Sequence, residues 1–384
     1  GKIVSGGTPS TKIDEYWDGN IPWITPKDLS GYNDRFISRG ERMITDKGLN
    51  NSSASLLPKG SVLFSSRAPI GYLAIASNEL TTNQGFKSII PNSENYNLFI
   101  YYLLRFKTNK IKSIAAGSTF SEISGSAFKN IDIKVPNLKE QKAIANILSY
   151  LDDKIELNNK INQNLEELAQ TLYKRWFVDF EFPNENGDPY QSSGGEMVES
   201  ELGLIPKGWE VKRQGDYFPV ITGKKNANVA TNHGRYMFFT CSQKPLKTDD
   251  FSFDDEAILV AGNGDFNVKY YKGKFEAYQR TYVLIPTNSK LASLLYFSIS
   301  YNLNDITMGH RGSVIKFITK GQIENYRLAL PEEKILEEYS TSFSTILNLI
   351  ENNKLENQKL SQIRDTLLPK LMSGEIEIPI ERLS

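Results

Sequence analysis

The chain has one cysteine (Cys241) and two histidines (His233 and His310) among 384 residues. A disulfide framework and a multi-cysteine zinc site are thereby excluded, and a histidine-based metal centre has almost no ligands to draw on. The longest apolar runs fall far short of the roughly 18 residues that span a bilayer, and no membrane partner is expected. No signal peptide opens the chain, so a cytoplasmic protein is expected. Charge of either sign is not in excess, because 45 Lys and Arg face 45 Asp and Glu. Taken whole, that balance argues against a nucleic-acid binder, which usually carries a basic surplus.

Catalytic motifs are missing as well. Gly223-Lys224 and Gly273-Lys274 lack the upstream glycine of a phosphate loop, and Gly262-Asn263-Gly264 lacks both a third glycine and a following helix. No Asn-Pro-Pro-aromatic or Asp-Pro-Pro-Tyr motif of an amino-methyltransferase occurs. Glu140-Gln141-Lys142 has the spacing of a nuclease E-x-K but opens a helix without a Pro-Asp partner, and reads as a solvated helix face. Neither histidine has a neighbouring Ser or Cys nucleophile. Catalysis by this chain alone is not expected, and no metal or cofactor is assigned to it; binding is the better class.

What is present is a repeat. Gly117-Ser118 matches Gly312-Ser313, Gln84 matches Gln279, Pro91 matches Pro286, and Ile131–Pro136 matches Tyr326–Pro331, all at one offset of 195 residues. Each copy begins with short β-rich runs between loops of Gly, Asn and Ser, followed by a helical stretch. Strands are predicted at Ile21–Thr25, Ser61–Ser65, Tyr72–Ala76 and Lys87–Ile90, with a helix near Tyr96–Lys107. The second copy repeats this with strands at Tyr236–Thr240, Ala257–Val260 and Thr281–Ile285 and a helix near Leu291–Tyr301.

Each copy then changes period. From about Leu138 to Phe177 and from Glu332 to Met372, apolar residues recur at alternating spacings of four and three, the signature of a coiled-coil helix. Both seams carry two successive asparagines, Asn158 and Asn162 in the first, Asn353 and Asn357 in the second, and these are read as register-setting. An antiparallel alignment of Asn158 with Asn357 also aligns Asn162 with Asn353 and brings Leu165 to Ile350 and Leu148 to Leu367. It places Leu151 against Arg364, which is expected to snorkel outward. Ile161, Leu168 and Phe177 lie beside the seam as a candidate docking surface.

These boundaries give five segments: a mixed module over 1–137, a long helix over 138–182, a Pro-, Gly- and Ser-rich mobile linker over 183–201, a second module over 202–331, and a second long helix with a tail over 332–384. The fold class is α+β, two repeated mixed modules separated by two long antiparallel coiled-coil helices, with pseudo-two-fold internal symmetry. Compared with the second copy, the first is short at its start, and about 15–20 native residues are expected to precede Gly1. The zero net charge is a sum of unequal parts. Residues 1–137 carry 16 basic and 11 acidic side chains (net +5), and residues 202–331 carry 17 and 11 (net +6), while the helices and linker are acidic. Charges beyond about 8–10 Å are screened, so the local field decides. Two basic modules joined by acidic pieces suit a two-site contact with a polyanion.

The chain resembles the specificity subunits of type I restriction–modification systems. The resemblance rests on Gly6-Gly7-Thr8-Pro9-Ser10, Trp17-Asp18-Gly19-Asn20-Ile21-Pro22-Trp23, Leu172-Tyr173-Lys174-Arg175-Trp176-Phe177-Val178-Asp179-Phe180, Glu201–Val211 and Gly234–Thr240, and spans nearly the whole length. It implies that the modules are target-recognition domains, each reading half of a bipartite site on double-stranded DNA. It further implies that the helices set the spacer and dock two methyltransferase subunits, with restriction/translocase subunits as further partners. S-adenosylmethionine, ATP and Mg2+ would then belong to those partners. Candidate DNA contacts lie in polar loops: Lys27, Arg35, Arg67, Asn83, Gln84, Ser118 and Thr119 in the first module. In the second they are Lys224, Lys225, Gln243, Lys244, Asn263, Arg280, His310, Arg311 and Ser313. A non-enzymatic scaffold whose basic modules hold another polyanion or a protein is the alternative.

Overall fold

A computed structural model describes residues 1–115, 122–231, 233–308 and 316–379. The chain forms two compact units, and the boundary between them crosses both long helices. One unit is Gly1–Asn159 together with Lys354–Ser384; the other is Lys160–Asn353. The division therefore differs from the five sequence segments: each helix contributes one half to each unit, because each module packs on a half of both helices.

In the first unit a five-stranded sheet runs in the order Lys2–Ser5, Lys87–Ile90, Val62–Phe64, Leu73–Ala76, Phe36–Ile37. Neighbours are antiparallel except the last pair, which is parallel. A smaller sheet joins Arg42–Ile44, Trp17–Ile24 and Thr81–Thr82. The helix Asn97–Ile114 buries Phe99, Ile100, Tyr102 and Leu103 against Val62, Phe64 and Ile75, and the same cluster takes in Leu148, Leu368 and Leu371 from the long helices.

In the second unit the sheet order is Val220–Thr222, Thr281–Leu284, Phe253–Ala261, Val268–Ala277, Tyr236–Phe239, with Leu246–Thr248 as an added edge. The first five strands reproduce the order and the pairing senses of the first unit. The register agrees too: Ser5 pairs with Lys87 and Thr222 with Tyr282, and 87 and 282 differ by the repeat offset. The helix Ala292–Thr307 buries Leu294, Leu295 and Phe297 against Ile258, Val260, Phe343 and Ile346.

The long helices are Leu138–Tyr173 and Glu333–Ser373. Asn137 caps the first, accepting from the Glu140 amide at 3.0 Å. The expected antiparallel register holds within each unit. Asn158 donates to Asn357 at 2.9 Å, and Asn353 donates to Asn162 at 2.8 Å. Arg364 does not snorkel outward. It is buried and bonds Asp152 at 2.5 Å, and Asp152 also accepts the Tyr102 hydroxyl at 2.6 Å.

Residues 183–201, read as a mobile linker, form turns and a paired strand. Met197–Ser200 pairs antiparallel with Gly203–Pro206. Phe182 stacks between Tyr190 and Trp209, at ring-centroid distances of 4.6 and 4.9 Å. Composition favours a loop; Tyr190, stacked on Phe182, anchors it to the aromatics on either side. Phe177 belongs to the same buried core and is not a surface residue, whereas Ile161 and Leu168 are exposed.

Candidate nucleic-acid interface

In each module one glycine starts the site. An added Cβ on Gly6 would lie 2.1–2.3 Å from the carbonyl oxygens of Asn83 and Thr82; on Gly223 it would lie 2.1–2.5 Å from those of Ala277 and Tyr278. Only glycine allows that approach. Residues 82 and 83 correspond to 277 and 278 by the repeat offset, so both modules press the same backbone crossing against the segment that precedes Gln84 and Gln279.

Matched hydrogen bonds then gather the loops. In the first module the Ser66 amide donates to the Gly85 carbonyl at 2.7 Å and the Ile123 amide to the Ser66 carbonyl at 3.0 Å. In the second the Gly262 amide donates to the Arg280 carbonyl at 2.8 Å and the Ile318 amide to the Gly262 carbonyl at 3.0 Å. The loop before a central strand, the loop after another and the segment leading to a short helix, Gly125–Lys129 in the first module and Lys320–Glu324 in the second, thus meet at one place in each sheet.

In the first module this place is an open cleft of about 860 Å³ whose lining includes Lys27, Arg67, Asn83, Lys112 and Glu122. Arg67 sits 3.6 Å from Glu122. Asn83 accepts from the Gly85 amide at 2.9 Å, which shapes the loop, and the exposed Gln84 accepts the Thr8 hydroxyl. Lys27 pairs with Glu41 at 2.7 Å while both stay exposed. Lys112, on the last turn of a helix, had no loop signal in the sequence.

In the second module the Gln279 amide donates to the Lys225 carbonyl, and Arg280, exposed, holds Gly262 and Cys241 through its carbonyl. Gln243 donates to Asp265 at 2.9 Å, and Asn263 bridges to Phe317. Lys224 and Lys244 are exposed on the flanking loops. Two further groups join them. Asn267 donates to the Cys241 carbonyl at 2.9 Å and accepts from Lys269. Burial lowers the Lys269 pKa to about 8, because the ammonium is partly withdrawn from water. Only the alternation along an unpredicted strand would have singled out Lys269.

Arg35 does not belong to this surface. Its side chain is 3% exposed. It donates to Glu156 at 2.8 Å through Nε and at 3.0 Å through Nη2, and also bonds Asp153 and the Ser149 carbonyl. Burial works against its charge, but those carboxylates outweigh it and leave the guanidinium more firmly protonated than usual. It ties the module to the first long helix. Ser118, Thr119, His310, Arg311 and Ser313 lie outside the described residues. Among the described residues no group of His, Cys, Asp and Glu could hold a metal ion, and no helix is long and apolar enough to cross a membrane.

Comparison with known proteins gives a consistent result. The family model described as the type I restriction modification DNA specificity domain matches residues 1–167 and 206–364. The MjaIX type I restriction enzyme specificity subunit of Methanocaldococcus jannaschii is 37% identical over 408 residues, covering 98% of this chain and 92% of that protein. The HindI specificity subunit of Haemophilus influenzae is 24% identical, covering 86% and 89%. The crystal structure of a type I restriction–modification S subunit from M. genitalium shares the fold, with a TM-score of 0.56 at 17% identity over 96% of this chain and 93% of that one.

Proposed function

The chain belongs to the type I restriction modification DNA specificity family, and we propose that each module reads one half of a bipartite DNA site with its gathered loops. As a specificity subunit the chain recognises DNA and leaves the chemistry to other subunits. The observation that supports the reading is the matched loop junction, built twice, with Gly85 and Arg280 and Ile123 and Ile318 at the repeat offset and Ser66 and Gly262 one residue from it, in two modules that each carry a basic excess.

Lys27, Arg67, Lys112, Lys224, Lys225 and Lys244 suit phosphates, which supply affinity and register. Asn83, Gln84, Gln243 and Asn263 suit adenine edges and Arg280 suits guanine, through paired bonds in the major groove. The long helices act as a ruler for the spacer and dock the partners: two methyltransferase subunits, with restriction/translocase subunits beyond them. S-adenosylmethionine, ATP and Mg2+ reside on those partners.

The test is a methylome recorded with the cognate methyltransferase subunit. Replacing residues 1–137 is expected to change one half of the methylated motif and replacing 202–331 the other. Methylation indifferent to both replacements would sink the reading. Deleting seven residues from each helix removes about 10 Å at ~1.5 Å per residue, or roughly three base pairs at ~3.4 Å each, and the spacer should shorten accordingly.

A further inference from the structure

The repeat is not symmetric where the helices meet the modules. In the first unit Asp152 and Arg364 form a buried ion pair, with the Tyr102 hydroxyl on Asp152 and Arg105 3.5 Å from Asp365. At the repeat offset the second unit has Leu347 for Asp152, Ala169 for Arg364, Phe297 for Tyr102, Ser300 for Arg105 and Gln170 for Asp365. Leu347, Ala169 and Phe297 are all buried in one apolar core. One place in the fold is thus built ionic in one unit and apolar in the other.

The seam asparagines do not share this asymmetry. Asn162 is the repeat counterpart of Asn357, and Asn158 that of Asn353, so an Asn would meet an Asn whether a long helix pairs with its partner or with the same helix of a second copy. They fix register without choosing the partner. The ion pair does choose. In a pairing of two first helices, Asp152 would face Ala169; in a pairing of two second helices, Arg364 would face Leu347. Asp152 would keep only Arg105, at 3.9 Å, and Arg364 only the largely exposed Asp365, at 2.9 Å, so each buried charge loses its closest buried partner, which is unfavourable.

We propose that the Asp152–Arg364 pair, set against Leu347 and Ala169 at the matching places, keeps the long helices from pairing with their own kind in a second copy. The inference rests on the repeat and the observed register, not on DNA reading, so its failure would leave the proposed function standing. A buried ion pair is weak as a source of stability but well suited to selecting register and partner.

The experiment uses the full chain with C241S, I155C and L165C. Positions 155 and 165 face each other only when two first helices pair, because within one helix they lie about 15 Å apart at ~1.5 Å per residue, beyond disulfide reach. This chain is refolded under oxidising conditions beside one that also carries Y102F, R105S, D152L, R364A and D365Q, the residues of the second unit. Intrachain pairing enjoys an effective concentration on the order of mM, so refolding is done at high protein concentration and the covalent dimer is scored on a non-reducing gel. The transplanted chain is expected to fold and to give at least about ten-fold more covalent dimer, the discrimination of a single 1.4 kcal/mol step or more. Equal dimer from both chains overturns the proposal. A transplanted chain that fails to fold also overturns it, because the ionic set would then be holding the unit together and not selecting its partner.

Discussion

Replacing Arg35 by alanine separates its two possible roles. The guanidinium is buried and makes bonds to Glu156, Asp153 and the Ser149 carbonyl. Removing one member of a fully buried pair costs about 3–5 kcal/mol. Here the carboxylates left behind are partly wet, 22% exposed for Glu156 and 63% for Asp153, so they regain water and the cost falls to about 2–3 kcal/mol. At about 2–4 °C per kcal/mol for a unit of this size, the first unit should melt roughly 4–12 °C earlier. Thermal unfolding followed by circular dichroism measures the shift, and R35A/E156A should lose less than the two single changes together. DNA affinity should keep its salt slope, because no phosphate contact is lost. An unshifted melting temperature with a salt slope smaller by about one would put Arg35 on the DNA and refute the reasoning.

Other outcomes follow from the same geometry. R280A should relax sequence preference in the second half-site alone, by about 1–3 kcal/mol, while K224A should weaken binding to all sequences and lower the salt slope by about one; competition binding at several salt concentrations distinguishes them. N353A removes the donor to Asn162 and should cost about 1–2 kcal/mol, read by urea unfolding. Lys269 has a folded pKa of about 8 against an ordinary 10.5. Its burial therefore penalises the fold fully below pH 8, and the penalty is relieved as pH rises from 8 towards 10.5, where the unfolded chain still holds the proton. K269M should raise the melting temperature at pH 7, with the gain shrinking as pH approaches 10; a gain that is constant with pH would contradict this.

The repeat and the helix register were legible because they are written in spacing. Offset 195 recurs in the hydrogen bonds of Gly85 and Arg280, and the Asn158–Asn357 alignment requires only that seams meet. The strand Lys87–Ile90 was read to the residue, and Val62–Phe64, Leu73–Ala76 and Thr281–Leu284 to within one. Long-range partners were not legible. Arg35 in a polar loop looks like any solvent-facing arginine until the fold brings Glu156 to it. Arg364 looks misplaced opposite Leu151 because the seam spacing says nothing of Asp152, one residue on, which bonds it. Residues 183–201 have the composition of a loop, and nothing local reveals that Phe182 and Tyr190 will find Trp209. The candidate contacts fall between these cases: Gln84 and Gln279 follow from matched positions and Arg280 from a polar loop, whereas Lys112 and Lys269 depend on which way an element faces.

One unit is a single unbroken stretch of chain, and the other is assembled from the stretches that precede and follow it in sequence. During synthesis the inner unit has every residue it needs once Asn353 has left the ribosome. The outer unit does not, because Leu148 waits for Leu368 and Leu371, and Asp152 waits for Arg364. The module made first is therefore the last to be finished. A premature stop after residue 353 would release a chain with a complete inner unit and a bare apolar seam on the other, the kind of surface that chaperones and proteases recognise. A finished first module thus requires that translation has passed Leu371.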